Sequence, residues 1–255
     1  MKRFSNGIFL LLCLGLVILF PACKRDKTPA PVEEGSLTLK WENVVGAEPL
    51  QLDNKWYLNQ NLDTFNVSLF RYYISNFQLI KADGTVFSET ESYHLVDQAR
   101  TSSREFTIKS IPYGEYKSIR FLIGVDSTRN RSGIQSGALD VTNDMFWTWQ
   151  SGYIMLKLEG QQLKSNGNLK DLTFHIGGFS GQYSAVRKVE IPFNTISINT
   201  TTAPIITFYA DVLECFKTPN SIKFDDFSSA MAPGVNSTKI ADNYSDMFTL
   251  KSIQN

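Results

Sequence analysis

The chain has few of the side chains from which catalytic and metal sites are usually built. Its 255 residues include two histidines and three cysteines. The sequence has no Walker loop, no HExxH zinc motif and no paired-cysteine motif. The segments GGFSG and GIQSG lack the spacing of a nucleophile elbow, and no acid–base pair has a recognisable catalytic spacing. A hydrolase is therefore poorly supported, and we expect no catalytic activity.

The sequence also lacks an excess of charge of either sign. Its 25 Lys and Arg residues are balanced by 25 Asp and Glu residues. Proteins that bind nucleic acids usually carry a basic patch or stripe, and no such stripe is present. We therefore expect no nucleic-acid partner.

A long apolar run occurs near the N-terminus, where MKR precedes FLLLCLGLVILF at Phe9 to Phe20. The run is too short and wrongly flanked for a membrane span, and it is typical of a signal peptide. It ends at FPAC, a loose bacterial lipobox, which predicts a signal peptide over residues 1–22 and lipidation of Cys23. Residues 23–35, with the charged stretch KRDKTPAPVEEG, then form a tether. Plain secretion with cleavage nearby is the alternative.

These features predict a protein of the cell envelope that is attached to the membrane by its N-terminal lipid. No acidic export tag follows the lipidated cysteine, which favours an outer-membrane location facing the periplasm. A lipoprotein cysteine normally carries several acyl chains, as stable anchoring requires.

Cysteine usage excludes an intramolecular disulfide in the mature protein. Cys13 leaves with the signal peptide and Cys23 carries the lipid, so Cys215 stands alone in the folded part. Its context, VLECFK, is apolar. We expect it to be a small buried hydrophobic residue rather than a metal-binding thiolate.

Strand patterns dominate residues 36–255. Apolar residues alternate in YKSIRFLIGVD, and the Asp-Gly pair of ADGT at residues 82–85 predicts a hairpin turn. In NVSLFRYYISNFQLI the apolar phase slips near Leu69 and again near Asn76, which predicts bulges or a strand covered on both faces. Many short strands separated by turns predict an all-β fold, a single antiparallel β-sandwich domain with long loops.

Two segments depart from the strand pattern. Residues 127–144, STRNRSGIQSGALDVTND, hold few apolar residues and several turn formers, which predicts a long loop. A short helix is predicted around residues 219–230. Long loops in compact domains are often functional.

The segment NDMFWTWQSGYIMLKLEG, residues 143–160, concentrates aromatic side chains in what we interpret as one strand. Trp147 and Trp149 are two residues apart, so strand alternation places them on one face together with Met145. Aromatic residues at this period are common in a sandwich core, and a redox or metal site would use them equally well.

The two histidines are the obvious candidates for metal ligands. His175 lies in LTFHIGG, where Leu172, Phe174 and Ile176 share the opposite face of the strand. His94 lies in YHLVD. Paired imidazoles beside soft or aromatic groups suit copper, although alternation does not place the two side by side. A lone histidine in a strand is also often a surface or core residue.

The order of several blocks is specific. They read LTLKWENVVGAEPLQL, FRYYISNFQLIKADGT, YHLVD, IPYGEYKSIRFLIGVD, SGALD, MFWTWQSGYIMLKLEG and FHIGG. In this order they resemble the MbnP-like copper-binding domain family of bacterial periplasmic and outer-membrane proteins, in the form found in lipoproteins of Bacteroidota. The resemblance covers roughly residues 36–250, so the domain is assigned to residues 36–255.

The resemblance implies a role in copper homeostasis and a partner that is a di-haem, MauG-like peroxidase-type protein. Such a partner oxidises a tryptophan to kynurenine, and in related proteins histidines and a kynurenine nitrogen bind copper. Carried over by motif, the implied positions are Asp126 of GVD, Trp147 and Trp149 of MFWTW, and His175 of HIGG, with His94 as a further candidate. The family's cysteine pair after HIG is replaced here by FSGQY.

Structural roles for the same residues remain open. Tryptophan, methionine and tyrosine at a period of two are ordinary core residues of a sandwich. An aspartate directly after a strand, such as Asp126, also caps loops. The alternative function is a metal-free binding or assembly module at the outer membrane.

Overall fold

The computed structural model describes Met1 and residues 32–148 and 150–255. The predicted signal peptide, Cys23, most of the tether and Trp149 lie outside the described residues. Residues 32–255 form one compact unit. None of the helices in the described part is long and apolar enough to cross a membrane.

The described part of the chain is built mainly of strands. They are β1 Glu34–Val45, β2 Glu48–Pro49, β3 Tyr57–Leu58, β4 Thr64–Lys81, β5 Val86–Ser88, β6 Tyr93–Asp97, β7 Glu105–Pro112, β8 Gly114–Ile123, β9 Phe146–Thr148, β10 Gly152–Leu163, β11 Leu169–Gly177, β12 Arg187–Ile198, β13 Ile205–Asp211, β14 Ser229–Ala230 and β15 Phe248–Gln254. The α-helices are α1 Ser127–Asn130 and α2 Val235–Tyr244. Short 3₁₀ helices cover Thr101–Arg104, Gly137–Leu139, Val141–Asn143, Gly181–Tyr183 and Val212–Phe216.

The strands form two sheets, and the predicted all-β sandwich is confirmed. A five-stranded sheet has the order β15-β13-β1-β2, with β7 also pairing with β1. A ten-stranded sheet has the order β12-β8-β4-β10-β11-β14; β3, β5 and β6 pair with β4, and β9 pairs with β10. Most pairs are antiparallel, but β1 pairs with β13 and β11 with β14 in parallel.

Aromatic side chains fill the space between the sheets. Trp41 of β1 is almost fully buried and lies 5.0 Å from Phe208 and 5.5 Å from Phe121, measured between ring centroids. Phe121 belongs to β8, so this contact joins the two sheets. Burying each such side chain contributes about 1.5–3 kcal/mol.

The long strand β4 organises the larger sheet. Residues 64–72 pair with β10, and residues 74–81 pair with β8. Both predicted irregularities are confirmed, because the register shifts beside Leu69 and again around Asn76, where φ is +53°. The first shift re-aims the side chains of β4 relative to β10 without breaking the sheet.

The segment 143–160 is a hairpin, so the prediction of one continuous strand was wrong. β9 ends at Thr148, and its hydroxyl accepts a hydrogen bond from the backbone N–H of Ser151 (3.2 Å). Gly152 then adopts a φ of +76°, which favours glycine because a side chain crowds the backbone there. The chain therefore reverses before β10 begins.

The helix predicted around residues 219–230 was also wrong. In that segment Ile222 and Phe224 are buried in the core. The helix lies later, in α2, where Ser237, Ile240, Ala241 and Tyr244 form a buried stripe. Their spacing of three and four residues is that of one helix face. Residues 127–144, predicted as a loop, contain only α1 and two single-turn 3₁₀ helices.

Candidate metal centre

A row of basic side chains crosses the outer face of the ten-stranded sheet. Arg71 of β4 lies opposite Lys157 of β10, which lies opposite His175 of β11. The residues that flank His175, Phe174 and Ile176, are buried on the other face, as the sequence predicted. Because directly opposed residues point to the same side, the three basic side chains share the outer face.

An acidic side chain accompanies each basic one. His175 Nε2 lies 2.7 Å from Glu159 Oε1, and Lys157 Nζ lies 3.7 Å from the same oxygen. Lys157 Nζ also donates to Asp144 Oδ2 at 2.5 Å. Lys157 and His175 are only 4% and 8% exposed, so the charge of Lys157 is balanced by these carboxylates rather than by solvent.

The loop that precedes β9 is fastened at this row. The hydrogen bond from Lys157 lowers the pKa of Asp144 below its usual range, and the charge of Arg71 acts in the same direction. Arg71 Nη1 also donates to the backbone oxygen of Asn143 (3.2 Å). The loop end, and the strand β9 that follows it, are thus held beside His175.

Trp147 packs directly onto the strand that carries His175. A Cβ atom placed on Gly177 would lie 2.5 Å from Cζ3 of the Trp147 indole. Gly177 is two residues beyond His175 on the same face of β11, a spacing of about 7 Å along a strand. The indole and the imidazole are therefore neighbours on the outer face.

A second contact locks the β9–β10 hairpin. The ring of Phe179 covers Gly152, where a Cβ would lie 2.7 Å from Phe179 Cδ1. The buried amide of Asn130 accepts from the backbone N–H of Tyr153 (2.9 Å) and donates to the backbone oxygen of Val125 (2.7 Å). The hairpin with Trp147 is thus fixed to the end of β8.

Asp126 caps helix α1. Its Oδ1 accepts from the backbone N–H groups of Thr128 (2.9 Å) and Arg129 (3.0 Å), and its Oδ2 accepts from the Tyr93 hydroxyl (2.6 Å). Partial burial raises its pKa, but these hydrogen bonds outweigh burial and lower the pKa overall. These hydrogen bonds show that Asp126 caps α1, which was one of the two roles expected from the sequence. The other role, as a metal ligand, stays a prediction.

His94 lies on the other face of the sheet. His94 lies opposite Ile74 of β4, so the two side chains point to the same face. Arg71 and Tyr73 point to the opposite face, which is the face of His175. The His94 ring stacks on Phe106 with centroids 3.7 Å apart, and its Nε2 lies 2.9 Å from Glu89 Oε2. The structure therefore brings His175 together with Trp147 but separates the two histidines.

The described residues do not contain a ready-made cluster of three His, Cys, Asp or Glu side chains that could hold a metal. Cys215 is buried, and burial raises the pKa of its thiol, which agrees with the predicted role as a small hydrophobic residue. A centre on the outer face would therefore need donors in addition to His175 and Glu159.

Sequence reasoning missed Glu159, Lys157 and Gly177 as parts of this site. Glu159 and Lys157 are separated by one residue in KLEG, and this spacing places both on one face of a strand. The absence of a side chain at Gly177 admits the indole of Trp147. No local signal in the sequence shows that Lys157 and Glu159 lie opposite β11, or that Trp147 packs on Gly177.

Comparisons with known proteins agree with this architecture. The family profile described as MbnP matches residues 34–237. The solved structure of MbnP from Methylosinus trichosporium is similar in fold, with a TM-score of 0.54 and 13% sequence identity; the match covers 86% of this chain and 99% of that chain. No curated protein matches the sequence. Because the family profile spans most of the chain, this protein belongs to the MbnP family.

Proposed function

We propose that this protein is a copper-binding accessory protein of the bacterial cell envelope, without catalytic activity of its own. The copper centre lies on the outer sheet face at His175 and Trp147. Membership of the MbnP family, and the resemblance of the sequence blocks to a copper-binding domain family, support the choice of metal. One observation carries the proposal: a carboxylate-oriented imidazole lies beside an indole on one sheet face.

The bond between His175 and Glu159 suits metal binding. A carboxylate accepts, so the neutral tautomer that fits this contact has its proton on His175 Nε2 and leaves the Nδ1 lone pair available to a metal. Histidines that bind metals commonly donate their other N–H to a carboxylate in this way, which fixes the tautomer and the ring orientation. In this proposal His175 is the ligand, and Glu159 orients it.

Trp147 in its unmodified form is not a ligand, because the indole N–H only donates. Kynurenine, in contrast, carries an aromatic amine and a ketone. The conversion breaks the indole C2–C3 bond and adds two oxygen atoms; two molecules of hydrogen peroxide supply them and leave as water. Hydrolysis then releases the lost carbon as formate. The peroxidase-type di-haem partner provides the oxidising site in this proposal, and Trp149 is the alternative residue.

The proposed location follows from the N-terminus. Cys23 would carry the lipid and residues 23–35 would tether the domain to the outer membrane on its periplasmic side. An envelope location also places the protein where a haem peroxidase could reach Trp147, whose ring is only partly buried.

The test is copper titration of the protein purified from its native host, with His175→Ala and His94→Ala as a matched pair. We expect His175→Ala to weaken copper binding at least about tenfold, since even loss of an outer partner of a ligand costs about 10–100-fold. We expect His94→Ala to bind like the wild type, because it lies on the other face. Wild-type affinity in His175→Ala would refute the site. Absence of copper binding in the wild type would favour the metal-free binding module.

A further inference from the structure

Met231 directly follows the short strand β14, which runs along the edge of β11. The two-residue strand β14 pairs with β11 in parallel, with Thr173 opposite Ser229 and Phe174 opposite Ala230. The backbone N–H of Thr173 donates to the oxygen of Ser228 at 2.9 Å. His175 follows Phe174 and Met231 follows Ala230, so continuing this parallel register by one residue beyond β14 would place Met231 beside His175.

A contact further along the chain brackets this placement. A Cβ atom on Gly178 would lie 3.2 Å from Cβ of Pro233. Residues 230–233 therefore run alongside residues 174–178, between the pairing at Ala230 and the contact at Pro233. Met231 lies between these two contacts in the sequence.

Alternation gives the face. Ala230 is buried with Phe174 on the core side. Met231 is the next residue and is 54% exposed, so it lies on the outer side, as His175 does. Its thioether does not contribute to the hydrophobic core of the described residues.

The chemistry of the neighbourhood suits a soft donor. Lys157 lies between Asp144 and Glu159 and balances carboxylate charge, so the site is not a strongly anionic pocket for hard divalent ions. Thioether and imidazole are ligands that copper accepts, and sulfur favours its monovalent state. Methionine is flexible enough to reach across to a neighbouring strand.

We propose that Met231 supplies a thioether ligand to the copper centre at His175. The proposal rests on the proposed function, since it assigns a second donor to the same site. It adds a sulfur donor to a site where the described His, Cys, Asp and Glu side chains do not form a cluster of three. The donors would then come from β11, from the segment after β14 and from the oxidised Trp147.

The experiment uses wild-type protein from the native host and the variants Met231→Leu, Met231→His and Met247→Leu. Met231→Leu keeps the shape and removes the sulfur; Met231→His keeps a donor. Met247→Leu removes a buried sulfur elsewhere as the matched control. Monovalent copper is titrated without oxygen against a competing chelator, and X-ray absorption reports sulfur among the atoms bound to copper.

We expect Met231→Leu to lose the sulfur signal and to weaken copper binding at least about tenfold. Losing a residue that only orients a ligand costs about 10–100-fold, and losing a ligand should cost no less. Met231→His should regain affinity, and Met247→Leu should behave as wild type. If Met231→Leu binds like wild type while His175→Ala is weak, Met231 is not a ligand but the proposed function stands. If His175→Ala also binds like wild type, or the wild type binds no copper, both proposals are wrong.

Discussion

Trp147 occupies the space that a side chain at Gly177 would need: a Cβ there would lie 2.5 Å from Cζ3 and 2.9 Å from Cη2 of the indole. This contact joins β9 to β11 two residues from His175. The position of the indole is therefore set by a missing side chain on the strand that carries the histidine.

Replacing Gly177 by alanine should displace Trp147. The added methyl group cannot be accommodated without a shift of the indole, and such overpacking costs about 1–3 kcal/mol of folding free energy. Acrylamide quenching of tryptophan fluorescence should increase, and copper affinity should fall, because the oxidised Trp147 is a proposed donor.

The matched control is Gly234→Ala. Gly234 has extended backbone with a φ of 170°, and a Cβ there meets nothing within 4 Å. This variant should leave tryptophan quenching unchanged. Equal quenching in the two variants would contradict the packing of Trp147 on Gly177.

Asn130→Ala should loosen the hairpin that carries Trp147. It removes the acceptor of the Tyr153 N–H and the donor to the Val125 oxygen, both of which are buried. Leaving a buried polar group unpaired costs about 1–3 kcal/mol. Chemical denaturation should show a loss of this size, and hydrogen exchange of the Tyr153 amide should accelerate. The control is Asn166→Ala in the exposed turn between β10 and β11, which should change neither quantity. If the Tyr153 amide stays protected from exchange in Asn130→Ala, Asn130 does not hold the hairpin.

Glu159→Gln tests whether the carboxylate orients His175. Glutamine has the same shape but a neutral side chain that can also donate, so the tautomer of His175 is no longer fixed. We expect copper affinity to fall about 10–100-fold. The control is Glu190→Gln. Glu190 of β12 pairs with Arg120 of β8, so this variant should leave copper affinity unchanged. Unchanged copper affinity in Glu159→Gln would remove the orienting role.

Asp126→Asn tests the capping role through pH. The folded-state pKa of Asp126 lies below its unfolded value, so the stabilisation by the charged carboxylate is complete above the unfolded value. It is lost as the pH falls through the lower, folded-state value. The difference in unfolding free energy between wild type and Asp126→Asn should therefore be constant at neutral pH and shrink in acid. A difference that grows in acid would contradict this account.

Asp126→Ala removes the cap entirely and should cost about 0.5–2 kcal/mol of folding free energy. Copper affinity should stay at the wild-type value, because Asp126 bonds to α1 and Tyr93. A large loss of copper affinity at unchanged stability would indicate that Asp126 is a copper ligand.

Local patterns predicted much of the sheet. Alternation placed His175 opposite to Leu172, Phe174 and Ile176, and the structure buries those three while His175 lies on the outer face. The phase slips in β4 predicted its two irregularities. These features follow from side-chain burial along one strand, which the sequence expresses directly.

Features that depend on pairing between distant strands could not be predicted. The proximity of Lys157, Glu159 and Arg71 to His175 depends on the register of β4, β10 and β11, which includes a bulge at Leu69. The face of His94 likewise follows from its pairing with Ile74. The buried stripe of α2 gives only a weak apolar pattern in the sequence, because it includes the polar Ser237 and the small Ala241.

The most direct test of the central claim is a mass spectrum of the proteolytic peptide that contains Trp147 and Trp149, taken from copper-loaded protein of the native host. The account predicts that Trp147 has lost one carbon and gained one oxygen, as kynurenine requires, while Trp149 is intact. Copper-loaded protein in which both tryptophans are unmodified, or in which only Trp149 is changed, would contradict it.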